Sequence, residues 1–152
     1  MFNERVPVPV VTCTRRLEWD AMHRVPHHKG QCRAFHGHRY AAEIECSGSV
    51  QHDGMIIDFG ALKSVIGSWI DNNWDHTALL WSDDSEPAIE VIKLANEAYG
   101  KPVYFLEDPP TAENIASALG RIAQELLKPY SISVSSVKVF ETPNCSATWY
   151  SR

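Results

Sequence analysis

The sequence predicts an α+β fold, a four-stranded antiparallel sheet with two or three helices packed on one face. Three observations predict it. Residues 11–19 and 36–46 alternate apolar and polar side chains, as half-buried strands do. After Asp58, and again after Thr111, apolar residues recur at steps of three and four, the helical period. Alternation returns between Ile132 and Tyr150. Two strand pairs bracketing helices give an antiparallel sheet covered on one side. The 152 residues suit a single compact domain, 1–152.

In VTCTRRLEW, Val11, Cys13, Leu17 and Trp19 share a face of the first strand. The polar stretch 27–31 contains Gly30 and reads as a loop. HGHRYAAEIEC follows, with His36, His38, Tyr40, Ala42, Ile44 and Cys46 on one face and Arg39, Glu43 and Glu45 on the other. These strands form a hairpin closed by that long loop. After a turn over 48–54, Asp58 stands where an N-cap belongs, ahead of the stripe Leu62, Val65, Ile66, Trp69 and Ile70, which ends near Asn72-Asn73. Residues 86–99 carry a weaker helical pattern, and 102–106 a short extended piece before Pro109-Pro110. Thr111 caps the next helix, whose stripe is Ile115, Leu119, Ile122, Ala123 and Leu126, stopped before Pro129. The tail, Ile132 to Phe140 and Cys145 to Tyr150, supplies two more strands. An open four-stranded sheet leaves two unpaired edges, so edge pairing into a homo-oligomer is the natural way to cover them.

Composition narrows the function classes. Net charge is −5, with no Lys/Arg run and no basic helix, which argues against a nucleic-acid partner. No apolar stretch approaches the ~20 residues of a membrane helix. The start, MFNERVPVPVV, lacks the apolar core of a secretory leader. Cys13, Cys32, Cys46 and Cys145 are scattered, without a CxxC pair, so reduced thiols in the cytoplasm are expected.

The chemistry concentrates in histidines. In a strand, positions i and i+2 project from one face, so His36 and His38 can converge on one ion, while Gly37 leaves the opposite face bare. By itself a His-x-His pair is weak evidence. His23, at the end of the first strand, is brought near by the hairpin. Three neutral imidazoles with a fourth position open is the arrangement of catalytic zinc. His27 and His28 are spare ligand candidates on the loop, with exposed loop residues the favoured reading. Cys32 allows two readings that spacing leaves open. It is a fourth ligand closing a structural site, or a thiol whose pKa the metal and Arg33 lower, fit to act as a base. Asp75-His76 is a carboxylate beside an imidazole it can orient, or a helix-end turn with an exposed histidine. Glu141 closes an apolar strand and by itself reads as an exposed strand end.

Taken in order, WDAMHR, CRAFHGH, GMIIDFGALK, WDHTALL, PTAENIA and VKVFET resemble the 6-pyruvoyltetrahydropterin synthase family over roughly residues 11–150. The similarity is greatest to its bacterial branch, which makes 6-carboxy-5,6,7,8-tetrahydropterin for queuosine and other deazapurines. The resemblance implies a tunnelling fold whose subunits join edge to edge into a barrel, as a trimer or a hexamer of two trimers, with active sites at the interfaces. It implies that His23, His36 and His38 bind Zn2+, that Cys32 is the proton-abstracting base, and that Asp75 and His76 form a proton relay. It places the pterin-anchoring carboxylate on Glu141 and a further substrate contact on Thr111. The implied substrate is 7,8-dihydroneopterin triphosphate, cleaved to the carboxypterin with release of acetaldehyde and triphosphate. In the pyruvoyl branch only triphosphate leaves. Arg15, Arg16, Arg24, Lys29, Arg33 and Arg39 lie near these motifs; surface solvation is the default reading for each, and receipt of the triphosphate the alternative. A non-catalytic zinc module closed by Cys32 is the reading from outside this chemistry. Residues 81–108 depart from the short bacterial members as a longer connection.

Overall fold

A computed structural model describes residues 11–152. Residues 1–10, on which the expectation of no secretory leader rests, lie outside the described residues. Strands β1 (Thr12–His23) and β2 (His36–Ser47) form the long hairpin, with His23 directly opposite His36 and Ala21 opposite His38. A helical rod follows in three sections: α1 (Phe59–Leu62), a π segment (Lys63–Gly67) and α2 (Ser68–Asn73). Then come β3 (Thr77–Trp81), α3 (Ala88–Ala98), β4 (Tyr104–Leu106), α4 (Ala112–Leu127), β5 (Ser133–Thr142) and β6 (Cys145–Tyr150).

The sheet has six strands in the order β4-β3-β1-β2-β5-β6 and is mixed: β3 runs parallel to β1, and β4 parallel to β3. The expected four-stranded antiparallel sheet therefore gains two parallel strands. Thr77 to Leu80 are buried on both faces, so this run shows no alternation, and α3 supplies the crossover that parallel neighbours require.

The helices are also divided differently from expectation. Leu17, Trp19, Tyr40, Ala42, Ile44 and Val137 pack with Leu62, Ile66, Ile70, Ile115 and Leu119, which places the α1–α2 rod and α4 on one face. Ala78, Leu80 and Ile89 pack with Met22, Phe35 and Ile92, so α3 covers the other face. The caps are where expected: Asp58 accepts from Gly60 N–H, and Thr111 Oγ1 accepts from Asn114 N–H. Gly120 lets α4 approach β6, since a Cβ there would lie 2.3 Å from the Trp149 ring.

The terminal strands of the sheet are β4 and β6, and β3 covers the outer edge of β1 only over Ala21–His23, so among the described residues Thr12–Asp20 have no strand partner on that side. Among the described residues, no helix is long and apolar enough to cross a membrane.

Candidate metal centre and active site

Strand alternation puts His23 at the end of β1 and His36 and His38 at the start of β2 on the face covered by the α1–α2 rod and α4. One ring nitrogen from each lies within 4.8 Å of the other two. His23 Nε2 and His36 Nε2 are 3.0 Å apart. Each ring is fixed by its other nitrogen: His23 Nδ1–H donates to the Pro110 carbonyl at 2.7 Å, and His36 Nδ1–H to the Ala34 carbonyl at 2.8 Å. With both Nδ1 atoms carrying protons, both Nε2 atoms present lone pairs to each other, a repulsive arrangement unless a cation lies between them. Among the described residues, buried His38 Nε2 has no hydrogen-bond partner. A tetrahedral zinc with N ligands at about 2.1 Å would hold them about 3.4 Å apart, close to this spacing. The donor set fits zinc.

Glu141 adds to that demand. Its carboxylate lies 3.5 Å from His38 Nε2 and 3.9 Å from His23 Nε2. Distance alone would suggest ion pairs. Burial instead holds the His23 and His38 imidazoles below their ordinary pKa, and Glu141 only partly opposes it. Neutral rings facing a carboxylate make an acceptor-rich nest, and neutral imidazole is the ligand form. Glu141 comes from a β-bulge, an extra residue between the pairs Phe140–Ser146 and Thr142–Cys145, and bulges commonly re-aim a side chain at a site. Tyr40 packs edge-on against His23 and His38 from below, its hydroxyl kept protonated by burial.

Cys32 lies in a 3-10 turn, Gln31–Arg33, tied to the end of β1 by Val25 N–H donating to the Cys32 carbonyl at 2.8 Å. Its sulfur is not among the nitrogens that converge within 4.8 Å. Thr111 follows Pro110, and its Oγ1 is occupied as acceptor by the α4 cap, leaving the hydroxyl proton free to donate. His27 and His28 are exposed: His27 packs edge-on to Trp81, and His28 Nδ1 accepts from Gly30 N–H.

Asp75 and His76 form a dyad, His76 Nδ1 being 2.6 Å from Asp75 Oδ2. Asp20 N–H donates to Asp75 Oδ1 at 2.9 Å, and His76 N–H donates to the Asp20 carbonyl at 2.7 Å. Burial pushes the Asp75 carboxyl upward, but the Asp20 N–H, His76 and Lys101 outweigh it and hold it below the usual range. His76 has φ 59°, the left-handed region that non-glycine residues rarely adopt. The dyad lies on the α3 side of the sheet, where a cavity of about 490 Å³ is lined in part by Asp20, Met22, Gly37, His38, Arg39 and His76. Strand alternation aims the three imidazoles at the opposite face, with Leu17, Trp19 and Tyr40.

The residues that orient these groups carry no motif in the sequence. Asp20, Ala34 and Pro110 act through backbone atoms, which no side-chain pattern reveals. The basic cluster is mostly engaged elsewhere. Arg24 is buried in an ion pair with Asp84 at 3.0 Å. Arg16 and Arg39 pair with Glu43, Glu18 and Asp20 on the α3 side.

A mixed sheet that presents three converging imidazoles at the end of one hairpin defines an α+β protein with a candidate metal site. The family model described as 6-pyruvoyl tetrahydropterin synthase matches residues 12–152, and the chain belongs to that family. A 6-carboxy-5,6,7,8-tetrahydropterin synthase of Rickettsia felis is 41% identical over 138 residues, 90% of this chain and 97% of that protein. A probable 6-carboxy-5,6,7,8-tetrahydropterin synthase of Halobacterium salinarum is 35% identical, covering 88% and 82%. The structure of 6-pyruvoyl tetrahydropterin synthase from Caenorhabditis elegans shares the fold, with TM-score 0.67, 23% identity, and 95% and 97% coverage.

Proposed function

We propose that this chain is a 6-carboxy-5,6,7,8-tetrahydropterin synthase, a zinc enzyme that converts 7,8-dihydroneopterin triphosphate and water to the carboxypterin with release of acetaldehyde and triphosphate. The observation that carries this reading is the convergence of the His23, His36 and His38 nitrogens, with the outer nitrogens of His23 and His36 pinned, in a chain that matches a synthase of that name over 90% of its length. His23, His36 and His38 hold the zinc, which when bound acidifies side-chain hydroxyls and stabilises developing oxyanion charge.

The remaining roles belong to the chain itself. Glu141 accepts the paired N–H donors of the 2-amino-pyrimidinone edge, and Thr111 donates its hydroxyl proton to the substrate. Cys32 thiolate removes a proton from the substrate side chain. Asp75 keeps His76 in the Nδ1–H tautomer, leaving Nε2 to exchange protons. Because the dyad and the imidazoles face opposite sides of one sheet, the complete site joins the histidines of one copy to His76 of another. Pairing of the open β1 edge with the β6 edge of the next copy closes such a ring, as a trimer or a pair of trimers. The chain acts as one domain in the cytoplasm.

Incubation of zinc-loaded protein with dihydroneopterin triphosphate, with products identified by mass, tests this. Carboxypterin with acetaldehyde supports it. A pyruvoyl product assigns the chain to the other branch, and untouched substrate contradicts both.

A further inference from the structure

We propose that Lys101, carried by the segment between α3 and β4, is a positioning residue that fixes the Asp75–His76 dyad by gripping the peptide carbonyl between its two members. The inference rests on the reading of Asp75 and His76 as a proton relay.

The peptide unit joining Asp75 to His76 is held at both ends. Its N–H donates to the Asp20 carbonyl at 2.7 Å, and its carbonyl accepts from Lys101 Nζ at 3.2 Å. Lys101 Nζ also donates to the Asp71 carbonyl at 3.1 Å, one of the carbonyls that the end of α2 leaves without a helical partner. A cation suits that position, where the helix presents its negative pole. The single ammonium thus ties the last turn of α2 to the turn that carries the dyad.

Holding a peptide plane at both ends fixes the rotation on either side of it. One of those rotations is the left-handed φ of His76, a conformation that persists only where its surroundings impose it. Lys101 is itself anchored. Its N–H donates to the Asn96 carbonyl at 3.0 Å, and its carbonyl lies 3.2 Å from Thr77 Oγ1, whose one proton is directed to the nearer Pro102 carbonyl. Thr77 is buried, accepts from Asn96 Nδ2 at 2.9 Å and donates to the Pro102 carbonyl at 2.8 Å. A network built from α3 and its exit therefore reaches through one lysine to the dyad. This gives the long connection between β3 and β4 a catalytic purpose beyond covering the sheet.

The test compares zinc-loaded Lys101→Met and Lys101→Arg proteins with the wild type. Two readouts are used: steady-state kinetics with dihydroneopterin triphosphate, and the His76 ring tautomer from 15N–1H NMR correlations. Lys101→Met is expected to lower kcat about tenfold to a hundredfold, the cost of a slight misplacement, with KM and zinc content little changed. The His76 population should move from the Nδ1–H tautomer toward Nε2–H. Lys101→Arg, which keeps donors for both carbonyls, should recover most of both. Wild-type kcat and tautomer in Lys101→Met overturn the proposal, as does a fall in kcat that leaves the tautomer unmoved. If the wild-type protein leaves the substrate untouched, the functional reading falls and the tautomer comparison alone decides the role of Lys101. Should Lys101→Met fail to fold, Lys101→Gln against Lys101→Arg gives the same contrast.

Discussion

His23 Nε2 and His36 Nε2 face each other at 3.0 Å while each ring donates through Nδ1 to a backbone carbonyl, so two lone pairs meet where a cation belongs. The β1–β2 register creates this relationship by placing the two residues directly opposite. The Pro110 carbonyl at the start of α4 and the Ala34 carbonyl before β2 then choose the tautomers.

Loss of one imidazole should release the metal. His38→Ala is expected to reduce zinc from about one per chain to a small fraction, since the centre relies on three protein ligands. Turnover should fall with it. Plasma emission spectrometry after dialysis checks this, and full zinc retention in the variant would count against His38 as a ligand.

Cys32→Ala should separate chemistry from metal binding. The sulfur stands outside the converging nitrogens, so zinc content and thermal midpoint are expected to stay at wild-type values. Turnover should drop by about 10²–10⁴-fold, the usual worth of a positioned acid or base. Joint loss of zinc and fold would identify a structural site instead.

The Asp75 carboxylate should make stability depend on acid. Its folded pKa lies below its unfolded value of about 3.9, so its contribution is fully present above that value and is lost as pH falls through the lower folded one. Asp75→Asn removes the titration. The wild type should therefore exceed this variant by about 1.5–3 kcal/mol near neutral pH, the range for hydrogen bonds to a charged group. The advantage should shrink below about pH 4. Thermal unfolding at several pH values measures it, and a gap constant with pH would contradict the assignment.

Gly120 is a test of packing away from the site. A Cβ there would stand 2.3 Å from the Trp149 ring, so Gly120→Ala must push α4 from β6. Overpacking of this kind costs about 1–3 kcal/mol. The thermal midpoint should fall by several degrees, and an unchanged midpoint would mean that the contact relaxes freely.

Much of this was legible in the sequence wherever a periodic pattern or a cap carried the signal. His36 and His38 share a face because strands alternate, and Asp58 and Thr111 precede their helices as caps do. What escaped lacked such a signal. Thr77 to Leu80 are buried on both faces and therefore do not alternate, which hid β3 and the parallel crossover. α3 gave a helical pattern without saying which side of the sheet it covers, and Ile89 and Ile92 place it opposite to expectation. The bulge at Glu141 depends on the register between β5 and β6, and no single segment encodes a register. Arg24 reads as a free cation in sequence because its partner, Asp84, is sixty residues away.

X-ray absorption spectroscopy of the zinc-loaded protein tests the central claim most directly. Three imidazole nitrogens and one light-atom ligand near 2.0–2.1 Å, with no sulfur shell, are predicted. A zinc–sulfur path near 2.3 Å, or fewer than three imidazoles, would contradict it.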